Sequence, residues 1–306
     1  MSPELSIVIP CFNEIENVRA ITRAVADEAD RHAQSWEIIL IDNGSTDGTR
    51  EAMRALCAED ARVRAILNTR NFGQMRSPTH AIYQARGAAV IGMCADFQDP
   101  PAMIGEMLAL WRGGARIVLA QRRRERTGAL LRLTRGTGYR LLARLSDTPV
   151  LPNVTGFGLY DRRVVETLRG WNEPEPFFRG MLVESGFPVA LLPFDRPERA
   201  GGESKNGIAS LIGFALSGLA ASAKSLLRLP ILLSVWAGAA AVLLLLAGLI
   251  AGPSALLIGW AIGSAMFACV LLFLGLIGDQ VRLIAERTRG MPLVIEEARL
   301  NFPDAP

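Results

Sequence analysis

No charged residue occurs between Leu229 and Gly278, and Gly252-Pro253 interrupts the run near its middle. A hydrocarbon core of about 30 Å is crossed by about 20 helical residues, so each half is long enough to span one. The run predicts two transmembrane helices, roughly 231–251 and 255–277, joined by a short uncharged loop. A buried core hairpin is the competing reading, but core helices seldom run this long without charge. Lys224 and Arg228 precede the run, and Arg282, Arg287 and Arg289 follow it. By the positive-inside rule both flanks face the cytoplasm, and so does the N-terminal portion. Residues 207–228 read as an amphipathic helix on the membrane surface. The expected organisation is therefore a cytoplasmic domain over 1–206, this surface helix, two spans within 229–279 and a cytoplasmic tail over 280–306. The start, Met1-Ser2-Pro3-Glu4, carries no basic region ahead of an apolar stretch, so no signal peptide is expected and the chain reads as a multi-pass protein of the inner (plasma) membrane.

Apolar runs alternate with helical stretches over the first 120 residues. Leu5–Pro10, Glu37–Ile41, Ala65–Leu67 and Ala88–Cys94 read as strands, and Ala115–Ala120 and Val189–Phe194 continue the series. Glu16–Arg31, with Val18, Ile21, Val25 and Ala26 at helix spacing, and Ser77–Arg86 read as helices. Ser45, Thr46 and Asp47 could each cap a helix after the second strand. The alternation predicts an α/β fold with a mostly parallel sheet and helices on both faces. The four cysteines, Cys11, Cys57, Cys94 and Cys269, fit no zinc spacing and are expected as reduced thiols.

The stretch Gly92-Met93-Cys94-Ala95-Asp96-Phe97-Gln98-Asp99-Pro100-Pro101 ends an apolar strand with two carboxylates, an amide and a double proline. Proline forbids the strand's continuation, so these oxygens emerge where open α/β sheets bind their ligands. Asp and Gln oxygens suit a hard divalent cation that also grips substrate phosphates. A solvated turn is the alternative. Further on, Arg122–Arg126 is a basic run and Arg196–Asn206 a polar loop.

Five segments, in order, carry a resemblance: Ile9–Glu14, Ile41–Thr49, Asn71-Phe72-Gly73, Ala95–Pro101 and Arg199–Lys205. With the hydrophobic tail, the chain resembles glycosyltransferase family 2, in particular the membrane-anchored polyprenyl-phosphate sugar transferases of the dolichyl-phosphate mannose synthase and bactoprenol glucosyltransferase type. The resemblance implies a GT-A nucleotide-sugar-binding domain. Pro10, Phe12 and Glu14 would line the base and ribose pocket, and Ile41 and Asn43, with Asp42 alongside, would meet the base edge. Ala95, Asp96 and Gln98 match the positions for diphosphate and metal (Mg2+ or Mn2+), with Asp96 and Gln98 as metal ligands. Arg122 matches an arginine near the sugar nucleotide, and Arg199 and Lys205 match a phosphate-binding pair.

This sequence departs from the family pattern in two places. Cys94 stands where the first aspartate of Asp-Ala-Asp is usual, and a thiol is a poor Mg2+ ligand. Gly156 and Gly158 stand where relatives often carry an aspartate, a candidate base, and an arginine. A lipid phosphate, with a second pKa of about 6, already offers an oxyanion, whereas a hydroxyl acceptor would need a base far more. The implied reaction is inverting transfer of a hexose from a nucleoside diphosphate sugar, UDP-linked, to undecaprenyl or another polyprenyl phosphate. A modified aminopentose donor, another lipid acceptor, or an inactive relative that only binds nucleotide sugar stay open. Small residues in the spans, among them Gly238, Gly259 and Gly263, permit close packing and hence a homo-oligomer. No nucleic-acid partner is expected. Phe177-Phe178-Arg179 reads as core, and His32 and His80 as neither ligand nor base.

Overall fold

The computed structural model describes residues 2–123, 151, 153–195, 197 and 254–302. In chain order the elements are β1 (Leu5–Cys11), α1 (Val18–His32), β2 (Trp36–Asp42), α2 (Thr49–Glu59), β3 (Val63–Asn68), α3 (Gly73–Gln84), β4 (Ala89–Gly92) and α4 (Met103–Arg112). There follow β5 (Ile117–Arg122), β6 (Val154–Asp161), α5 (Arg162–Gly170), α6 (Phe178–Glu184), β7 (Val189–Phe194), α7 (Ser254–Arg289) and β8 (Glu296–Leu300). The strands form one sheet in the order β7-β5-β6-β4-β1-β2-β3-β8. Pairing is parallel for β1 with β2 and β4, β2 with β3, and β5 with β7. β6 is antiparallel to β4 and β5, and β8 is antiparallel to β3. All strands but β6 and β8 thus finish on one edge, where those two begin. This is the expected α/β, mostly parallel sheet.

Both faces of the sheet are covered, which is why its strands are continuous apolar runs. Ile7, Ile9, Ile38, Leu40 and Ile91 pack with Val18, Ile21 and Val25 of α1 and with Ile104 and Met107 of α4. Val8, Ile39, Ile41, Ile66 and Val90 face the other way, onto Ile82 of α3 and Val164 and Leu168 of α5.

Three elements differ from expectation. α3 starts at Gly73, not Ser77, and holds Pro78 inside; the helix tolerates the one backbone bond that proline forgoes. β6 was hidden in the sequence by Gly156 and Gly158. A Cβ at Gly158 would lie 2.6 Å from the Val118 carbonyl oxygen, so this strand packs where no side chain fits. Finally, the segment expected as a tail contains β8, which returns to pair with β3 along the sheet edge. Its Glu296, Glu297 and Arg299 are the charged residues that blunt an edge strand.

The first expected span, 231–251, and the surface helix, 207–228, lie outside the described residues. The second coincides with the start of α7, which is 36 residues long and uncharged from Ser254 to Gly278. Its Trp260, Phe267, Val270, Leu274 and Ile277 are exposed. Taken over the described residues alone, no helix is long and apolar enough to cross a membrane. Beyond the apolar part, Arg282 grips Glu175 in bidentate fashion, with Nη1 to Oε1 at 2.8 Å and Nη2 to Oε2 at 2.9 Å. That guanidinium holds the Glu175 carboxyl below its ordinary value, against the opposing effect of burial.

Candidate active site

The parallel strands run β4-β1-β2-β3, so the chain reverses direction of sheet growth between β1 and β4. Ligands of open α/β sheets bind in the crevice at such a point, outside the carboxyl ends of the strands. Asn13, just past β1, adopts a left-handed φ of 55°, which asparagine tolerates better than most residues. Its N–H donates to Ser45 Oγ at 2.8 Å, and its Oδ1 accepts from the Thr46 N–H at 2.8 Å. The Glu14 and Ile15 N–H groups donate to Thr49 Oγ1 (2.9 Å) and Asp47 Oδ2 (3.2 Å). The polar cluster expected to cap α2 therefore sews the β1 and β2 loops together. The cap position itself is Gly48, with no side-chain bond. Phe12 is left 37% exposed at the edge, while Pro10 and Glu14 are half-buried, with Glu14 Oε2 accepting from Asn17 Nδ2 at 2.8 Å.

Sequence reasoning put Ile41, Asp42 and Asn43 at the base edge, and their side chains turn out to be committed to the fold. Ile41 is fully buried in the core. Asp42, also fully buried, accepts from the Gly44 N–H (3.0 Å), the Ser45 N–H (3.1 Å) and Arg50 Nε (2.7 Å). Asn43 Oδ1 accepts from the Phe72 N–H at 2.9 Å, while its Nδ2 donates to Asn71 Oδ1 (2.9 Å) and the Gly73 carbonyl (3.2 Å). Asn43 thus anchors the Asn71-Phe72-Gly73 loop against the end of β2. Gly44 is required there: its φ is +84°, and a Cβ would meet the Arg70 carbonyl carbon at 2.8 Å.

At the end of β4 the chain turns sharply. Asp99, buried, accepts from the Cys94 N–H at 2.8 Å and braces the turn. Asp96 Oδ1 accepts from the Gln98 N–H at 3.2 Å. Between them Phe97 sits at φ 59°, an outlier for a bulky residue, held by these two braces and by its packing on the core. Strain of this kind concentrates at ligand sites. Asp96 is 8% exposed, Ala95 is buried against the core and Cys94 is exposed. Among the described residues no group of three or more His, Cys, Asp or Glu could hold a metal ion. One carboxylate and one amide fit a cation that completes its coordination with substrate phosphates and water, the usual habit of Mg2+. They do not form a self-sufficient cage.

Farther along the edge, Arg122 ends β5, and its N–H donates to the Asn153 carbonyl at the start of β6 (3.0 Å). Gly156 is exposed, with no atom within 4 Å of where a Cβ would stand. Phe178 is core, edge-on to Tyr160 at 5.1 Å, and Arg179 Nη1 donates to the Val154 carbonyl at 2.8 Å. His80 pairs with Glu296 of β8 at 2.5 Å, a structural role. β7 finishes on this edge at Phe194; Arg199 and Lys205 lie outside the described residues. The structure thus brings Pro10, Phe12, Glu14, Asp96, Gln98 and Arg122 to a single edge. Sequence reasoning missed Arg50, whose three-way contacts span 247 residues of sequence.

Comparison with known proteins gives the family. The family pattern described as "Glycosyl transferase family 2" matches residues 6–169. The bactoprenol glucosyl transferase of Shigella phage SfV is 33% identical over 217 residues, 71% of each chain. An uncharacterized glycosyltransferase of Synechocystis, sll0501, is 30% identical over 312 residues, covering 96% of this chain and 95% of its own. Among solved structures, glucosyl-3-phosphoglycerate synthase from Mycobacterium tuberculosis, in complex with Mn2+, UDP-glucose and phosphoglyceric acid, is 18% identical with a TM-score of 0.49, covering 71% of this chain and 78% of that one. The chain belongs to glycosyl transferase family 2 and is a glycosyltransferase of the bactoprenol glucosyl transferase type.

Proposed function

We propose that this enzyme transfers a hexose, with inversion, from a UDP-linked sugar to undecaprenyl phosphate or a similar polyprenyl phosphate at the cytoplasmic face of the plasma membrane. The observation that carries this reading is Asp96 and Gln98 on a braced, strained turn at the C-terminal end of β4, the strand next to β1, after which Phe12 is exposed. Similarity to bactoprenol glucosyl transferases supports the lipid phosphate as acceptor.

In this mechanism Phe12 offers a stacking face for the base, and Glu14 an acceptor for the ribose hydroxyls. Asp96 and Gln98 would hold a divalent cation against the diphosphate, where it supplies charge neutralisation of the leaving nucleoside diphosphate. Arg122, with Arg199 and Lys205, would balance the remaining phosphate charge. A lipid phosphate oxygen attacks the anomeric carbon from the face opposite the leaving group. The C–O bond to the nucleoside diphosphate breaks, and its electron pair stays on the departing phosphate oxygen. No proton need be removed from an ionised phosphate monoester, so the glycine at position 156 is no obstacle. Positioning and electrostatics supply the rate.

The charge-free part of α7, with its exposed Trp260 and Phe267, is proposed as the second of two membrane spans, and the Arg282–Glu175 pair fixes its end to the catalytic domain. Reconstituted enzyme given radiolabelled UDP-sugars, Mg2+ or Mn2+, and undecaprenyl phosphate is expected to yield labelled lipid, and Asp96→Ala to abolish it. Absence of transfer with every nucleotide sugar refutes the reading. Mass spectrometry of the lipid product identifies the sugar and the acceptor.

A further inference from the structure

The interactions around Arg50 reach from the sheet's last strand to the donor site. Arg50 stands in the first turn of α2 with its side chain largely covered. Its Nε donates to Asp42 Oδ2 at 2.7 Å, Nη2 to the Asn68 carbonyl, and Nη1 to Glu297 Oε2 at 2.9 Å. One guanidinium therefore joins the ends of β2 and β3 to the beginning of β8. Asn68, buried beside it, donates through Nδ2 to Ser77 Oγ (3.0 Å) and Asn43 Oδ1 (3.4 Å). Asn43 in turn holds the Asn71–Gly73 loop from inside the sheet. From outside, the Ile295 carbonyl accepts the Thr69 N–H at 3.0 Å and Thr69 Oγ1 at 3.3 Å. Residues 69–73 are thus clamped between β2 and the segment that follows α7. A buried carboxylate such as Asp42 is held in place by a paired cation, and the planar, spread fork of the guanidinium reaches three partners on different elements at once.

We infer that Arg50 is a positioning residue for nucleoside recognition, and that Glu297, delivered by β8 after the apolar helix, locks it. Asp42 also accepts from the Ser45 N–H, and Ser45 Oγ accepts from the Asn13 N–H next to Phe12, so seating of the C-terminal strand would shape the wall beside the ring proposed to stack on the base. This rests on the donor reading above, and it distinguishes the base end of the donor from the diphosphate end. Asp96 and Gln98 belong to the β4 turn, on the far side of β1 from the β2, β3 and β8 ends that this network joins.

The test uses the full-length enzyme and the variants Arg50→Lys and Glu297→Gln, titrated calorimetrically with UDP and separately with pyrophosphate in Mn2+. Hydrogen–deuterium exchange of the amides of residues 69–74 is followed alongside. Arg50→Lys is expected to weaken UDP binding about tenfold and Glu297→Gln about threefold, with pyrophosphate binding changed less than twofold. Amide exchange across 69–74 is expected to accelerate in both variants, and donor KM to rise while kcat at saturation stays within about twofold. Equal weakening of UDP and pyrophosphate, or unchanged exchange and UDP affinity, overturns the inference. Should the wild type bind no uridine nucleotide, the donor reading fails by itself, and unchanged exchange at 69–74 would separately refute the clamp.

Discussion

Alanine placed at Gly158 and then at Gly156 separates the two missing family charges by the room each position leaves. At 158 the new Cβ would sit 2.6 Å from the Val118 carbonyl oxygen and 2.9 Å from Leu119 Cδ2. Ordinary contact begins near 3.4 Å, so about 0.8 Å must be found against backbone of the paired strand β5. Overpacking of this kind costs about 1–3 kcal/mol, and loosening one ladder hydrogen bond adds about 1 kcal/mol. Gly158→Ala is therefore expected to destabilise the fold by roughly 2–4 kcal/mol, a fall in Tm of about 5–15 °C. At 156 nothing lies within 4 Å and φ is not left-handed. Gly156→Ala is expected to be neutral or to stabilise by up to about 1 kcal/mol, through a less flexible unfolded chain. Thermal unfolding of the reconstituted proteins, followed by tryptophan fluorescence, measures both. Equal melting temperatures would refute the steric argument. Because 156 has space, Gly156→Asp also restores the carboxylate without a fold penalty. If the lipid phosphate supplies its own nucleophile, transfer by this variant stays within severalfold of wild type. A hundredfold gain would show that a base had been wanting.

Cys94 and Cys269 are exposed, whereas Cys11 and Cys57 are buried, and burial pushes the Cys57 thiol up to about 11. Iodoacetamide is expected to inactivate the enzyme through Cys94, with UDP-sugar and Mn2+ protecting and Cys94→Ser resistant; peptide mass spectrometry reads the site. Glu37 lies buried at the opposite end of the sheet, accepting from Ser6 Oγ (2.6 Å) and the Arg86 N–H (2.8 Å) and paired with Arg64 (2.7 Å). Glu37→Ala is expected to destabilise by about 3–5 kcal/mol while the folded fraction keeps its donor KM, as unfolding curves and kinetics will show. Glu296 is pushed up by burial, but His80 and Arg299 overcome this and hold its carboxyl down at about 2, from 4.5. A depressed folded pKa means its stabilising contribution is whole above about pH 5 and drains as pH falls from 4.5 toward 2. Exchange of the β8 amides, corrected for intrinsic rate, is expected to quicken over that range, and Glu296→Gln to flatten the dependence.

Strands β1, β2, β3, β4 and β5 could be read from the sequence because burial on two faces leaves an apolar signature, and β7, a half-exposed edge strand, from its apolar composition alone. The turn bearing Asp96 and Gln98 was legible for a related reason: polar residues after such a run have only the sheet edge to occupy. β6 was not legible, since glycines at 156 and 158 erase its alternation, and the meaning of Gly158 lies in its distance to Val118. β8 was not legible either, because an edge strand rich in Glu and Arg looks like a solvated tail until its partner is known. The structural work of Asp42 and Asn43 could not be read from the sequence. Pattern matching places them at the donor's edge, whereas their hydrogen bonds hold the wall behind it. Arg50 could have been found only by asking which cation answers a carboxylate buried at the end of β2.

The position of β8 also has a consequence for the order in which the protein is made. Residues 63–68 leave the ribosome more than two hundred positions ahead of 296–300, so the outer backbone groups of β3 wait, unladdered, while the whole apolar segment is synthesised. The catalytic domain is finished only once α7 has been laid down behind it, and a nascent chain stalled before that point presents a bare strand to its neighbours.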